Sequence, residues 1–413
     1  MTRGDRVTAA RRLRLLFVAP FPPDLSGSHG GVRAIAWIID TLARRHEVSV
    51  LYLREMNGPA FQRPSQCSRM IGIDVPMRRR TARPFWSRAI ESGRLLLGSR
   101  PDWVRESWST EMATACAQLA DEIQPDVVHF EFHVMAQYIP FVRKAAPEAR
   151  CIVTEHEPGV SARLGEGPGT RGRLGRWVRR LAWRRYERRA LSLADAIITF
   201  TRKDEEVARE LVRGSSAQVT CIPLRISPDR IGSGPRIESD LLFIGAFRHP
   251  PNADAAMRLA TAIFPKIREA RPDARMIIVG PDPPQQLLDA AGPGIEVTGQ
   301  VHDVAPYLAG ASIVICPLRI GSGMRVKVLE ACAFGKALIA TSQAVEGLGL
   351  RPGIEFTLAA SDDEFADRAI DLLSSPERRE QLEQAALDWA SRTQDPEQWA
   401  AQYDALYRQL AAK

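Results

Sequence analysis

The sequence predicts an α/β protein built from two Rossmann-like, doubly wound parallel-sheet domains that face each other across a cleft. Three observations carry this. The chain has 413 residues, more than one hydrophobic core organises. Short apolar runs alternate with helix-length amphipathic segments, and most of the runs are continuously apolar, as strands covered on both faces are. The charge is also divided. Residues 1–236 hold 39 basic and 25 acidic side chains, a net +14, whereas residues 237–413 hold 17 and 24, a net −7.

Taken in order, residues 1–12 read as a disordered basic tail. Residues 13–225 form the first domain, with strands at 13–19, 47–53, 126–132, 150–155, 196–200 and 218–224. Residues 226–239, rich in Gly, Pro and Ser, form a linker. Residues 240–395 form the second domain, with strands at 240–246, 274–280, 295–299, 312–318 and 336–342. Three helices, near 362–374, 376–391 and 396–411, close the chain. The last carries Trp399, Tyr403, Leu406 and Leu410 at helical spacing, and residues 396–413 are placed back on the first domain.

Several classes are excluded at this level. No apolar run reaches the roughly eighteen residues of a membrane span. The N-terminus lacks the long apolar region of a signal peptide. Six scattered cysteines form no Cys-x-x-Cys pair, so a reducing cytoplasm is expected, with no disulfide framework and no metal site. No nucleic-acid motif accompanies the basic half.

Doubly wound sheets bind ligands beyond the C-terminal ends of their strands. Two loops there are rich in glycine. In "APFPPDLSGSHGGVRAIAWIIDTL", Gly30 and Gly31 precede a helix, where a backbone can approach a phosphate closely. In "SIVICPLRIGSGMRVKVLEACAFG", a strand leads through Gly321, Ser322 and Gly323 into a helix. Arg325 and Lys327 lie in its first turn, where the helix dipole disfavours cations. An anion such as a diphosphate offsets that cost by accepting from both and from the helix N–H groups. Glu330 follows, able to accept two sugar hydroxyls as the acidic residue of dinucleotide folds does. Neither loop is Gly-x-Gly-x-x-Gly or a P-loop, which argues against a nicotinamide dehydrogenase and a nucleotide triphosphatase.

These pieces, in this order and over nearly the whole chain after the tail, resemble the family 4 retaining glycosyltransferases of the GT-B fold, in a polysaccharide-biosynthesis-like subgroup. The stretches "PDVVHFE", "YERRALSLADAIITFTRKDEEV" and "GIEVTGQVHDVAPYLAGASIVICPL" belong to the same likeness. The resemblance implies transfer of a sugar from a nucleoside-diphosphate donor with retention of configuration. It implies no cofactor and no bound metal, and a glycan or lipid-linked acceptor at the cytoplasmic membrane face. It places Gly30 and Gly31 near the donor phosphate and Glu330 on the ribose, as second Glu of the family's Glu-x7-Glu signature. It puts His156 beside the transferred sugar. Gly245, Arg248, Ser322 and Gly323 complete the expected donor site.

The chain departs from the family at two places. Ser322 stands where the first Glu of the signature belongs. Ala246 stands where a phosphate-binding Arg is usual, and no Lys follows. Arg325 and Lys327 are therefore read as relocated diphosphate ligands, with help from Arg248. An epimerase or hydrolase on the same fold, or a sugar-nucleotide binding protein without catalysis, are the alternatives.

Residues 171–189 hold nine arginines. Leu174, Trp177, Val178 and Leu181 share one helical stripe, with Trp183 and Tyr186 offset. Such a helix reads as a membrane-surface element, joined by Arg78, Arg79, Arg80 and Arg83, or as one whose stripe packs on the sheet beneath solvated arginines.

Overall fold

A computed structural model describes residues 11–25, 30–55, 61–75, 100–156, 158–159, 173–226, 237–320 and 324–412. The first sheet is built from β1 (Arg14–Ala19), β2 (Glu47–Glu55), β3 (Arg69–Val75), β4 (Val127–Glu131), β5 (Arg150–Glu155), β6 (Ala196–Thr199) and β7 (Gln218–Cys221). Between them run α1 (Gly30–Ala43), α2 (Asp102–Glu106), α3 (Thr110–Ile123), α4 (Ile139–Ala145), α5 (Arg173–Leu191) and α6 (Arg202–Leu211). The strand order is β3-β2-β1-β4-β5-β6-β7, parallel throughout.

The second sheet holds β8 (Ser239–Ile244), β9 (Met276–Val279), β10 (Ile295–Gly299), β11 (Ala311–Cys316), β12 (Ala337–Ala340) and β13 (Thr357–Leu358). Its order is β10-β9-β8-β11-β12-β13, again parallel. Its helices are α7 (Pro250–Arg258), which runs through a π-turn into α8 (Phe264–Ala270), then α9 (Gln285–Ala290), α10 (Ala305–Gly310), α11 (Val326–Ala333), α12 (Ser342–Val345), α13 (Asp362–Ser374) and α14 (Pro376–Thr393). In both sheets the strand order reverses direction beside the first strand, which opens a crevice there.

The apolar runs become central strands because helices cover both faces: β1, β4, β5, β9 and β12 are buried almost end to end. Two edge strands escape the apolar pattern. β3 alternates exposed and half-buried residues, and β13 has only two residues. The tail also ends earlier than its composition suggests. Arg11 pairs with Asp126 at 2.8 Å, and Arg12 donates to the carbonyls of Ala43 and His46.

The last helix, α15 (Pro396–Ala411), returns to the first sheet. Glu397 pairs with Arg45, His46 lies 3.4 Å from Asp404, and the Tyr407 hydroxyl is 2.9 Å from His129 Nδ1. Where the chain crosses between domains, the Ile226 amide donates to the Gln394 side chain at 2.9 Å.

Candidate active site

The glycine turns and the charged helix meet. α1 begins at Gly30, so the two glycines form its first turn rather than preceding it. A Cβ at Gly30 would lie 3.1 Å from Val326 Cβ, the first residue of α11. The N-terminal turns of α1 and α11, one from each domain, therefore pack against each other, and a side chain at Gly30 would press on Val326.

Arg33, one turn further along α1, crosses the junction. Its Nη2 donates to Glu330 Oε2 at 2.7 Å, and the two side chains are 2% and 4% exposed. Sequence reasoning passed over Arg33. The signal was present: a lone charge inside the apolar run "GGVRAIAWII".

Arg325 is not inside the helix, as its spacing suggests. It caps α11 in a left-handed conformation (φ 51°, ψ 29°), and its carbonyl accepts from the amides of Val328 and Leu329 at 2.9 and 3.1 Å. Its buried guanidinium lies 3.4 Å from Glu346 Oε2. Glu346 also receives Lys203 of α6, from the first domain, at 2.9 Å. The Lys203 hydrogen bond, ahead of burial, holds the Glu346 carboxyl below its ordinary range.

Lys327 turns inward. Its Nζ donates to Asn252 Oδ1 at 2.6 Å and sits 4.5 Å above the Phe243 ring. Burial, with Arg325 and Arg33 nearby, pushes its pKa down to about 8. Asn252 is in turn fixed by donating to the Ala246 carbonyl at 3.0 Å. It lies directly under Gly245, where a Cβ would come within 2.8 Å of its amide carbon. Gly245 and Lys327 are thus joined through Asn252, a residue the sequence did not single out.

Arg248 is 73% exposed and bound to Asp282 at 2.7 Å. Ser322 and Gly323 lie outside the described residues. The approach to them is well held: Arg258 donates to the Pro317 carbonyl at 2.7 Å and Thr341 to the Leu318 carbonyl at 2.6 Å.

His156 follows β5 and is buried. Its Nε2 lies 2.7 Å from Glu131 Oε2, and its ring stacks on Phe132 at 3.7 Å. Phe132 meets Phe21 edge-on, and Phe21 belongs to the loop that leads from β1 towards α1. Phe132 adopts a left-handed backbone (φ 65°), the kind of strained turn that clusters at functional sites. Burial raises the Glu131 carboxyl to about 7.

On α5 the packing differs from the sequence stripe. Val178, Trp183 and Glu187 face inward, whereas Trp177 is 58% and Leu181 36% exposed among arginines. Trp183 and Tyr186, offset in the stripe, are the residues that meet His133. Leu174 and the cluster at 78–83 fall outside the described side chains.

Two faced parallel-sheet domains with a glycine turn against a cationic helix terminus define the GT-B class. Two family models match: "Glycosyl transferase 4-like domain" over residues 29–225 and "Glycosyl transferases group 1" over residues 238–375. The chain belongs to this family of glycosyltransferases, and its work is sugar transfer.

Among curated proteins nothing matches. Solved structures share the fold at low identity. Sucrose-phosphate synthase from Thermosynechococcus elongatus is 17% identical with a TM-score of 0.67, covering 97% of this chain and 99% of that one. Anabaena HepE in complex with UDP and glucose is 12% identical with a TM-score of 0.66, covering 96% and 99%. A UDP-forming α,α-trehalose-phosphate synthase from Burkholderia vietnamiensis is 13% identical with a TM-score of 0.63, covering 97% and 98%. No helix among the described residues is long and apolar enough to cross a membrane.

Proposed function

We propose that this glycosyltransferase moves a hexose from a nucleoside-diphosphate sugar to a glycan or lipid-linked acceptor, with retention of anomeric configuration and without a bound metal. The observation that supports this most is the junction of α1 and α11, where Arg325, Lys327 and Glu330 gather at one helix terminus opposite a glycine turn.

In this reading the diphosphate lies at the start of α11. It takes the place of Glu346 at Arg325 and accepts from Lys327. Two cations and the helix amides stabilise the charge that develops on the leaving diphosphate, the role a metal plays elsewhere. Glu330 holds the ribose hydroxyls while Arg33 orients its carboxylate. His156 lies beside the transferred sugar. The departing phosphate oxygen takes the acceptor proton, so no separate base is required. HepE was solved with UDP and glucose, which makes UDP-glucose the first donor to test.

The acceptor side faces an anionic membrane surface. Trp177 and Leu181 project from α5 among exposed Arg180, Arg184, Arg185, Arg188 and Arg189, an apolar anchor inside a basic field.

The test is a thermal-shift series with UDP, GDP, ADP and their sugar conjugates. A ligand at a hundred times its Kd stabilises the native state by about 2.7 kcal/mol. One nucleotide class should raise the melting temperature. If none does so with folded protein, the donor reading fails.

A further inference from the structure

At the C-terminal ends of β4 and β5 the first domain buries a group of polar side chains behind His156. His129, Glu131, Thr154 and His156 are all nearly inaccessible. The Tyr407 hydroxyl of α15 reaches His129 Nδ1 at 2.9 Å, and His129 Nε2 meets the Thr154 hydroxyl. His129 Nε2 also lies 3.7 Å from Glu131 Oε1, and Glu131 Oε2 lies 2.7 Å from His156 Nε2.

The bonds have a direction. Burial pushes the His129 pKa down to about 4, so its ring carries one N–H and one lone pair. Burial raises the Tyr407 hydroxyl well above its ordinary range, so it keeps its proton. Above its raised pKa of about 7, where Glu131 is ionised, one ordering gives every bond a hydrogen. Tyr407 donates to His129 Nδ1, and His129 Nε2–H donates to Thr154 while facing Glu131 Oε1 at 3.7 Å. Glu131 then accepts from His156 Nε2–H.

We propose that Glu131 is a positioning residue for His156, and that Tyr407 of the C-terminal helix influences its hold through His129. The proposal rests on the reading that His156 lies beside the transferred sugar. Holding Nε2–H makes Nδ1 an acceptor; the other tautomer would make it a donor. Stacking on Phe132 fixes the plane of the ring, and Glu131 fixes its rotation within that plane. The ionisable groups that face Glu131 are His129 on its own strand, His156 beyond β5, and Tyr403 and Tyr407 on α15. A neighbouring pair, His133 and Glu155 at 2.7 Å, occupies the ends of the same two strands.

The experiment is imidazole nitrogen NMR on the full chain, labelled at its seven histidines. The unaltered protein should show His156 as the Nε2–H tautomer. Glu131→Gln removes the charge with little change of shape and should lower the His156 titration midpoint by about 1–3 pH units. Tyr407→Phe removes one hydroxyl. It should bring up the second tautomer at His129 and move His156 the same way by less. This second variant decides the matter alone if Glu131→Gln does not fold. His156 signals unchanged in the folded variants would overturn the proposal. UDP release from UDP-glucose is followed separately in His156→Ala. Turnover equal to that of the unaltered protein would remove His156 from the reaction, and the positioning role with it, even with the NMR coupling intact.

Discussion

Replacing Arg33 by Met should destabilise the protein by at least about 3 kcal/mol, since breaking a buried ion pair from one side typically costs 3–5 kcal/mol. Met keeps most of the aliphatic stem, so the loss is chiefly the guanidinium. What remains is the Glu330 carboxylate, whose side chain is only 4% exposed, facing an apolar replacement. The one inexpensive escape is for the cleft to open and let water reach Glu330. That route is resisted by the packing of Gly30 on Val326 and by the ion pair of Lys203 with Glu346. For domains of this size each kcal/mol moves the melting point by about 2–4 °C, so a fall of about 6–12 °C is expected.

Urea unfolding followed by circular dichroism gives the free energy, and small-angle scattering reports whether the cleft has opened. The double variant Arg33→Met with Glu330→Gln should recover part of the loss, because the buried charge goes with its partner. A single-variant loss under about 1 kcal/mol with unchanged dimensions would refute the reasoning, since it would place Glu330 in an environment that does not need Arg33.

Three further outcomes follow from the site. A bound diphosphate favours the ammonium form of Lys327, whose pKa in the free protein is about 8; UDP affinity should fall as pH rises through that value, and Lys327→Ala should abolish this fall in titration calorimetry. Gly245→Ala pushes a methyl group to 2.8 Å from the Asn252 amide carbon, which displaces the acceptor of Lys327. UDP binding should weaken by roughly tenfold, about 1.4 kcal/mol, and unchanged affinity would separate Asn252 from the site. Arg180, Arg184 and Arg188 changed together to Glu should abolish sedimentation with vesicles containing phosphatidylserine, at about 1 kcal/mol for each basic residue lost; undiminished binding would return α5 to an ordinary surface helix.

The fold was legible because its signals are strong and local. Continuously apolar runs such as "LRLLFVA" and "SIVICPL" have few alternatives to a strand covered on both faces, and the three closing helices lie within two residues of their sequence bounds. The edge strand β3 was not legible, because exposure on one side erases the apolar run, and Gly72 and Asp74 are residue types that strands disfavour. At the site, Gly30, Lys327 and Glu330 could be read from spacing after a strand. Asn252 and Glu346 could not, since their importance comes from partners 75 and 143 positions away, and the lone charge of Arg33 did not disclose its partner 297 positions on. The left-handed backbone of Arg325 is likewise a tertiary outcome, imposed where the loop must turn sharply into α11.

The hydrogen bond from Ile226 to Gln394 has a mechanical meaning. The polypeptide passes from one lobe to the other twice, and these two residues belong to the two passages. A single tether would let the lobes swing and twist in any sense, whereas two tethers pinned side by side form an axle. Free twisting of one lobe on the other is thereby opposed at the point where the two passages touch. Loosening the pin by Gln394→Ala should therefore leave the two passages less firmly joined.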